Sequence, residues 1–479
     1  MNLRLVLSLI GSVSVVEGAL MAIPLAVSLI YYGEDWKAFV FAIALCVIVG
    51  FALKSIRPRN ERLRAREGFA VVALSWILVS ALGALPFFFS GAIPNYVDCF
   101  FETVSGFTTT GATILSDVEA LPRGLLFWRS LTHWAGGMGV LVLSLALFPK
   151  MGARSIHIMR AESPGPSTDK LVPRVKNTAK ILYQIYVALS VTMVICLLLC
   201  GLDLFDSLVH TFGAAGTGGF SSYNLSVAHF ANPAAEIVIG VFMALFGINF
   251  SLYFFLLHRN FRAVAKSGEL RLYLGLLLGS SLLIALNAQG LFSNFGEALR
   301  HSFFQVSSIM TTTGYSSHNF DLWPQFARIL LVVLMLIGSC AGSTGGGVKV
   351  VRLEILLKSL WRDIRQSVHP QQVDVVKLDG RPIEEKTVSS VQGFFFAYIT
   401  VLVGATLIVA LDNYSFETSL TAVVATLSNI GPGLDLVGAV GNYGMFSPLS
   451  KIVLSFVMLI GRLEVFPILM LFVPSAWKK

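Results

Sequence analysis

Four short stretches rich in glycine and hydroxyl side chains carry the chemistry of this sequence. The first reads Val104-Ser105-Gly106-Phe107-Thr108-Thr109-Thr110-Gly111-Ala112-Thr113, and the third Ser307-Ser308-Ile309-Met310-Thr311-Thr312-Thr313-Gly314-Tyr315-Ser316. The second is Phe212-Gly213-Ala214-Ala215-Gly216-Thr217-Gly218-Gly219-Phe220-Ser221, and the fourth, the most divergent, is Leu427-Ser428-Asn429-Ile430-Gly431-Pro432-Gly433. Aligned on Gly111, Gly219, Gly314 and Gly431, the units lie 108, 95 and 117 residues apart. A cation leaving water must exchange its hydration shell for other oxygens, and rings of backbone carbonyls supply them without a permanent negative charge. Glycine admits backbone conformations closed to residues with a Cβ, so successive carbonyls can face one axis. A neighbouring threonine adds a hydroxyl that can coordinate an ion or brace the loop. No carboxylate falls within the four turns, whereas a calcium or magnesium filter prefers charged oxygens; Asp435, just past the fourth turn, reads as an outer-vestibule charge. The chemistry is that of a dehydrated monovalent cation.

Such turns need elements to hold them at membrane depth. Of the 479 residues 55% are hydrophobic and only 13% charged, too few charges to cover a soluble protein of this length. Apolar runs at 5–31 and 37–53 predict a hairpin. Each turn then follows a long apolar run (69–90, 178–201, 271–291, 388–411) and a short amphipathic stretch (96–108, 204–215, 297–310, 415–427). A second long run comes after it (124–148, 234–257, 326–350, 449–473). A helix of about 12 residues covers only about 18 Å, so the short stretches dip into the bilayer and return on the same side. Backbone that is not helical at that depth must be buried in protein or line a water-filled cavity. The expected fold is therefore all-α and polytopic: a hairpin in 1–60, then four helix–pore loop–helix repeats in 61–152, 153–266, 267–370 and 371–479, around one central pore. Ten spanning helices and four half-helices result.

The net charge of +8 is not a nucleic-acid footprint. Lys54, Arg57, Arg59, Arg62, Arg64 and Arg66 cluster between apolar runs, as do Lys150, Arg154, Arg160, Lys170, Arg174 and Lys176, while alternate connections carry Glu34, Asp35, Asp98, Glu102, Asp203, Asp206, Asp412 and Glu417. That alternation is the positive-inside pattern, and it puts both termini on the cytoplasmic side. The five cysteines fall mostly in apolar runs without a C-x-x-C pair and read as small buried hydrophobes. An intramembrane enzyme would need a nucleophile–base pair, an H-E-x-x-H or paired aspartates within spans, and the sequence offers none. A purely structural subunit has no need of four glycine-rich turns.

Those turns, with Ser339-Cys340-Ala341-Gly342-Ser343-Thr344-Gly345-Gly346-Gly347-Val348-Lys349 and Gly461-Arg462-Leu463-Glu464, resemble the Trk/Ktr/HKT superfamily of potassium transporters over essentially the whole chain. The N-terminal hairpin is similar to that of its TrkH-type membrane subunits. The resemblance implies potassium as the transported ion, a homodimer in the bacterial cytoplasmic membrane, and a cytoplasmic nucleotide-binding regulatory subunit of the TrkA kind. No G-x-G-x-x-G or Walker pattern occurs, so this chain is expected to bind no nucleotide itself. A sodium-permeable or cation-coupled symporter of the same family is the competing reading. Carried over position by position, the filter carbonyls belong to Thr109, Thr110 and Gly111; Thr217, Gly218 and Gly219; Thr312, Thr313 and Gly314; and Asn429, Ile430 and Gly431. Only the third unit keeps a tyrosine after its glycine, so one or two ion sites near the four glycines are expected.

Three consecutive glycines cost a helix roughly 1 kcal/mol each relative to alanine, so the second run of the third unit should break at Gly345–Gly347. The resemblance implies that Gly342, Ser343, Thr344, Gly345, Gly346 and Gly347, with Lys349, form a loop below the filter that obstructs the pore and moves in gating. Arg462 falls near mid-membrane, where a charge is normally paired; the carbonyls of the glycine loop suit it better than Glu464. Glu17 reads as a helix-packing carboxylate, and His133 as a packed or hydrogen-bonded side chain.

Overall fold

In lipid a long apolar run can satisfy its backbone only by coiling, and the chain does so from its start. The computed structural model describes residues 2–56, 65–139, 175–371 and 374–477. The basic stretches at Arg57–Arg64 and Lys150–Arg174, and Lys478 and Lys479, lie outside them. Helices Leu3–Ile30 and Trp36–Lys54 form the N-terminal hairpin. Their axes approach closely because two glycines face each other: a Cβ on Gly11 would lie 2.6 Å from the Gly50 carbonyl oxygen. At the tip, the Ser28 hydroxyl donates to Asp35 at 2.5 Å.

Four repeats follow. Their first helices are Ala65–Gly83 with Leu85–Phe89, Val175–Leu199, Gly268–Ala288 and Glu385–Val409. The short stretches are the helices Tyr96–Phe107, Leu204–Gly216, Phe295–Met310 and Phe416–Leu427. Each starts on a residue whose side chain accepts from an otherwise unpartnered N–H of the first turn: Asn95, Asp203, Asn294 and Ser415. Their faces are buried in apolar clusters, with Phe101, Phe107, Val209, Val423 and Leu427 in one and Val306 and Ile309 in another.

The second helices depart from the expectation of continuous spans. In the second repeat, Pro233–Phe246 and Phe250–Leu257 meet at 92°. There the bare face of Gly247 touches the Tyr273 hydroxyl, and Asn249 caps the new helix. In the third, Gln325–Ile337 stops at Gly338, earlier than the triple glycine, and Val350–Val368 resumes beyond the loop. In the fourth, Pro448–Arg462 ends where Glu464 and Val465 take positive φ, before Phe466–Leu471. In the first, Arg123–Gly137 is the described part of the run. Among the described residues six helices are long and apolar enough to cross a membrane, seven if the bent pair counts as one; the end of the first repeat's second run lies outside them. The chain is a multi-pass membrane protein.

The Gly11–Gly50 contact yields a stability test. Gly11→Leu forces a side chain onto the opposing backbone, an overpacking worth about 1–3 kcal/mol. Thermal unfolding in detergent is expected at a lower midpoint, with ion preference per folded molecule unchanged, because the hairpin contact is remote from the four turns.

Candidate functional site: a ring of backbone carbonyls

Each short helix runs out into its turn through the same pair of hydrogen bonds. Thr110, Gly218, Thr313 and Ile430 each donate a backbone N–H to the carbonyl five residues back, on Ser105, Gly213, Ser308 and Ala425, all at 2.8 Å. The residues just before them, Thr109, Thr217, Thr312 and Asn429, take left-handed φ of 54–61° and donate to the carbonyl three residues back at 3.1–3.3 Å. This is the Schellman termination, usually built on glycine; threonine or asparagine holds the left-handed position here. One residue further, Gly111, Gly219, Gly314 and Gly431 have φ of 80°, 74°, 87° and 94°.

The four turns close on one another through these glycines. A Cβ on Gly111 would lie 1.9 Å from the Gly218 carbonyl oxygen, one on Gly219 2.0 Å from that of Thr313, one on Gly314 2.0 Å from that of Ile430, and one on Gly431 2.7 Å from that of Thr110. The contacts run from unit to unit in order and return to the first, so the twelve filter positions expected from the sequence are brought together in one ring. All four glycines also line one cavity of about 110 Å³, on the side of the acidic connections.

Hydrogen-bond accounting marks these carbonyls out, because buried backbone acceptors are nearly always paired. Among the described residues, the carbonyls of Thr109, Thr110, Gly111, Thr217, Gly218, Gly219, Thr312, Thr313, Gly314, Asn429 and Ile430 accept no hydrogen bond; Gly431 alone accepts one. One residue beyond, the pattern changes: Phe220 O accepts from the Tyr315 hydroxyl and Tyr315 O from the Ser308 hydroxyl. In the second and third units the free carbonyls thus end at the glycine. The short helices also direct their C-terminal ends, the negative poles of their dipoles, at the ring. Free carbonyl oxygens beside negative helix ends suit a cation and repel an anion.

The threonine hydroxyls brace rather than line: Thr108 with Thr110 and Thr311 with Thr313 at 2.8 Å, and Thr217 to Gly216 O at 2.6 Å. Asn429 ties the fourth turn to the first through Thr110 Oγ1, and to Met458 O, both at 2.9 Å. Asp435 is exposed and accepts from Ser415 and Thr418, at the outer end of the fourth short helix.

Behind the first and second turns lies a pair that pattern reading missed, since Glu102 looks like one more acid of an outer connection. Arg129 Nε donates to Glu102 at 2.9 Å, and both side chains are fully buried. Arg129 also donates to Ser221 O at 3.2 Å and covers the Phe220 ring at 4.0 Å, while Glu102 accepts the Ile114 N–H at 3.0 Å. Phe220 stacks in turn on His133 at 4.2 Å, which is therefore a packed histidine. A glutamate within a short apolar stretch and an arginine early in the following run were the available signals. Lys451 and Asp98 pair at 2.7 Å between the fourth and first units. Glu17 is buried against the bare face of Gly83.

Under the ring lies the loop Gly338–Lys349. Its ends are stapled by Val348 N–H to Leu336 O at 3.1 Å and Lys349 N–H to Ile337 O at 2.8 Å. Gly346 donates its N–H to Thr312 Oγ1 at 2.6 Å, and a Cβ on it would fall 2.2 Å from Ser428 O. Ala341 N–H reaches Glu269 at 2.6 Å, and Gly342 O accepts from Phe250 N–H at 3.0 Å. Lys349 Nζ donates to Gly345 O. Arg462 donates to Thr344 O at 2.7 Å, as its position suggested, and also to Gly136 O and Gly137 O at 2.5 and 2.7 Å, the open end of a first-unit helix. Glu464 pairs instead with Arg352.

Fold and site together define a pore-loop ion transport protein. The TrkH family, described as a cation transport protein, matches residues 36–479, and the chain belongs to it. It is 37% identical over 486 residues to the Trk system potassium uptake protein TrkH of Escherichia coli strain K12, and 32% identical over 485 residues to that strain's TrkG; each alignment covers 100% of this chain, and 100% and 99% of the relative. The crystal structure of the potassium transporter TrkH from Vibrio parahaemolyticus superposes with a TM-score of 0.90 at 32% identity, covering 100% of both chains. The chain is a transport protein and not an enzyme.

Removing one member of a buried ion pair leaves the other uncompensated, at about 3–5 kcal/mol. Glu102→Ala is therefore expected to lower the midpoint of chemical unfolding in detergent sharply. Glu102→Gln, which keeps an acceptor for Ile114 N–H, should lose less.

Proposed function

We propose that this chain takes up potassium across a bacterial cytoplasmic membrane, passing the dehydrated ion through the ring formed by Thr109–Gly111, Thr217–Gly219, Thr312–Gly314 and Asn429–Gly431. The observation that carries this reading is the set of carbonyls from four units left without donors at membrane depth. A cation replaces the missing partners, and potassium is the cation in the names of the relatives. The helices contribute only dipoles at the ring, and the buried charges behind the first and second turns, Glu102 with Arg129, are neutralised as a pair. A site made of dipoles binds a monovalent ion and still releases it, which conduction requires.

The loop Gly342–Gly347, held by Lys349 and Arg462, is the gate on this reading. It lies against the inner side of the third and fourth turns, and its glycines give the backbone several conformations of similar energy. The chain works as a homodimer with both termini in the cytoplasm, and a separate nucleotide-binding subunit of the TrkA kind sets the loop's position. A sodium-permeable or cation-coupled symporter is the second reading, favoured by the shortness of the filter, whose free carbonyls stop at the glycine in the second and third units.

Uptake in a potassium-uptake-deficient bacterium tests the proposal. Gly314→Ser places a side chain 2.0 Å from Ile430 O and is expected to lower potassium preference over sodium by about tenfold. Unchanged affinity for both ions would remove the ring from the pathway. For the gate, Arg462→Ala is expected to raise potassium flux per folded molecule several-fold while selectivity survives; normal yield with unaltered or reduced flux would assign Arg462 a structural role only.

A further inference from the structure

The carbonyl accounting leaves one asymmetry. Gly431 O accepts the hydroxyl of Tyr443 at 2.7 Å, whereas the matching carbonyls of Gly111, Gly219 and Gly314 accept nothing among the described residues. Tyr443 is not a loosely placed surface phenol. Its ring is buried between Phe101 and Phe446, with centroids at 5.6 and 5.8 Å, and its own N–H donates to Thr113 O at 2.7 Å. The hydroxyl is thereby held at a fixed point behind the fourth turn, spanning the seam between the fourth and first units.

We propose that Tyr443 is a specificity-determining residue, which ties back one of the four outermost carbonyls and makes that ring three free oxygens plus one shared. The inference rests on the reading of the ring as the ion filter. A carbonyl oxygen has two lone pairs, so Gly431 O can still face an ion while it accepts the phenol. The donor has two effects on it. It draws charge from the oxygen, which weakens its field at the ion, and it fixes the oxygen's position, so the ring cannot contract. Both effects disfavour the smaller ion, which gains most from strong-field ligands that can move inward. Tyr443 therefore discriminates against sodium at the outermost ring, where the fourth unit lacks the aromatic brace that Tyr315 provides between the third and second turns.

Tyr443→Phe removes the donor and keeps the ring. The change corresponds to loss of one neutral hydrogen bond, so the potassium-over-sodium preference is expected to fall about fivefold. Two readouts on the full-length protein measure it: potassium uptake with sodium competition in proteoliposomes, and the thermal stabilisation given by each ion in detergent. Should Tyr443→Phe fail to fold, 3-fluorotyrosine at position 443 keeps the shape and strengthens the donor, and is expected to shift the preference the opposite way. A preference within twofold of wild type in both readouts, for a folded variant that still takes up potassium, overturns the role of Tyr443. Absence of potassium uptake by the wild type overturns the filter reading itself, and the assignment with it.

Discussion

Everything in this molecule depends on leaving buried backbone carbonyls unpaired. In a membrane interior such groups are costly unless satisfied, and the chain collects eleven of them in one place. Two local devices make that possible. The left-handed residue before the middle carbonyl and the positive-φ glycine after it reverse the chain twice within three residues, so the turn cannot form a ladder with itself. The near contact between each glycine and the next unit's carbonyl then fixes the spacing of the ring, which tolerates no Cβ at any of the four positions. The short helices serve the same end: capped outside by Asn95, Asp203, Asn294 and Ser415, they are free to end abruptly inside.

The placement of full charges follows from that constraint. On the outer side, Glu102 meets Arg129 and Asp98 meets Lys451; on the inner side, Arg352 meets Glu464, and Arg462 donates to the backbone oxygens of Thr344, Gly136 and Gly137. None stands in the ring itself. Each outer pair also crosses between units, Arg129 to Ser221 O of the second and Lys451 to Asp98 of the first. A charge pair of this kind is weak evidence for net stability, but it fixes the register of separate repeats. That suits a ring whose geometry comes from four unlike sequences.

The short helices were legible in the sequence to within two residues, because cap residues, amphipathic length and the terminal glycine all lie close together along the chain. The glycine loop was legible as a break, although the helix stops at Gly338 because that glycine abuts Gly346 O across the loop. The bends at Gly247–Asn249 and Leu463–Val465 were not legible. Neither site carries a proline or a glycine run, and the first bend follows from a tertiary contact, Tyr273 against Gly247. Arg129 and Tyr443 escaped notice for a related reason. Their partners lie 27 and 12 residues away, beyond any helical spacing, and only the closed ring gives either side chain a carbonyl or carboxylate to meet.

The ring and the loop beneath it use the same residue type to opposite ends, and the difference lies in what else holds them. In both, glycine lets backbone touch backbone: Gly345 stands against Thr311 O much as Gly111 stands against Gly218 O. Every filter turn is also bonded twice to its own short helix, with both bonds buried. The centre of the loop is held differently, by single bonds that mostly involve side chains. Between its stapled ends it is held by Gly346 N–H to Thr312, by Cys340 N–H to Gly247 O, by the hydroxyls of Ser343 and Thr344, by the side chains of Lys349 and Arg462, and by Ala341 and Gly342. On the gating reading proposed above, these contacts are what the loop would give up on opening, while the paired bonds of each turn would keep the ring closed. Thr312 belongs to both: its hydroxyl accepts from the loop while its carbonyl stays unpaired in the ring. On that reading, movement of the loop would remove a partner from the third turn but leave its two helix-terminating bonds intact, which would separate opening from the geometry proposed to distinguish one ion from another.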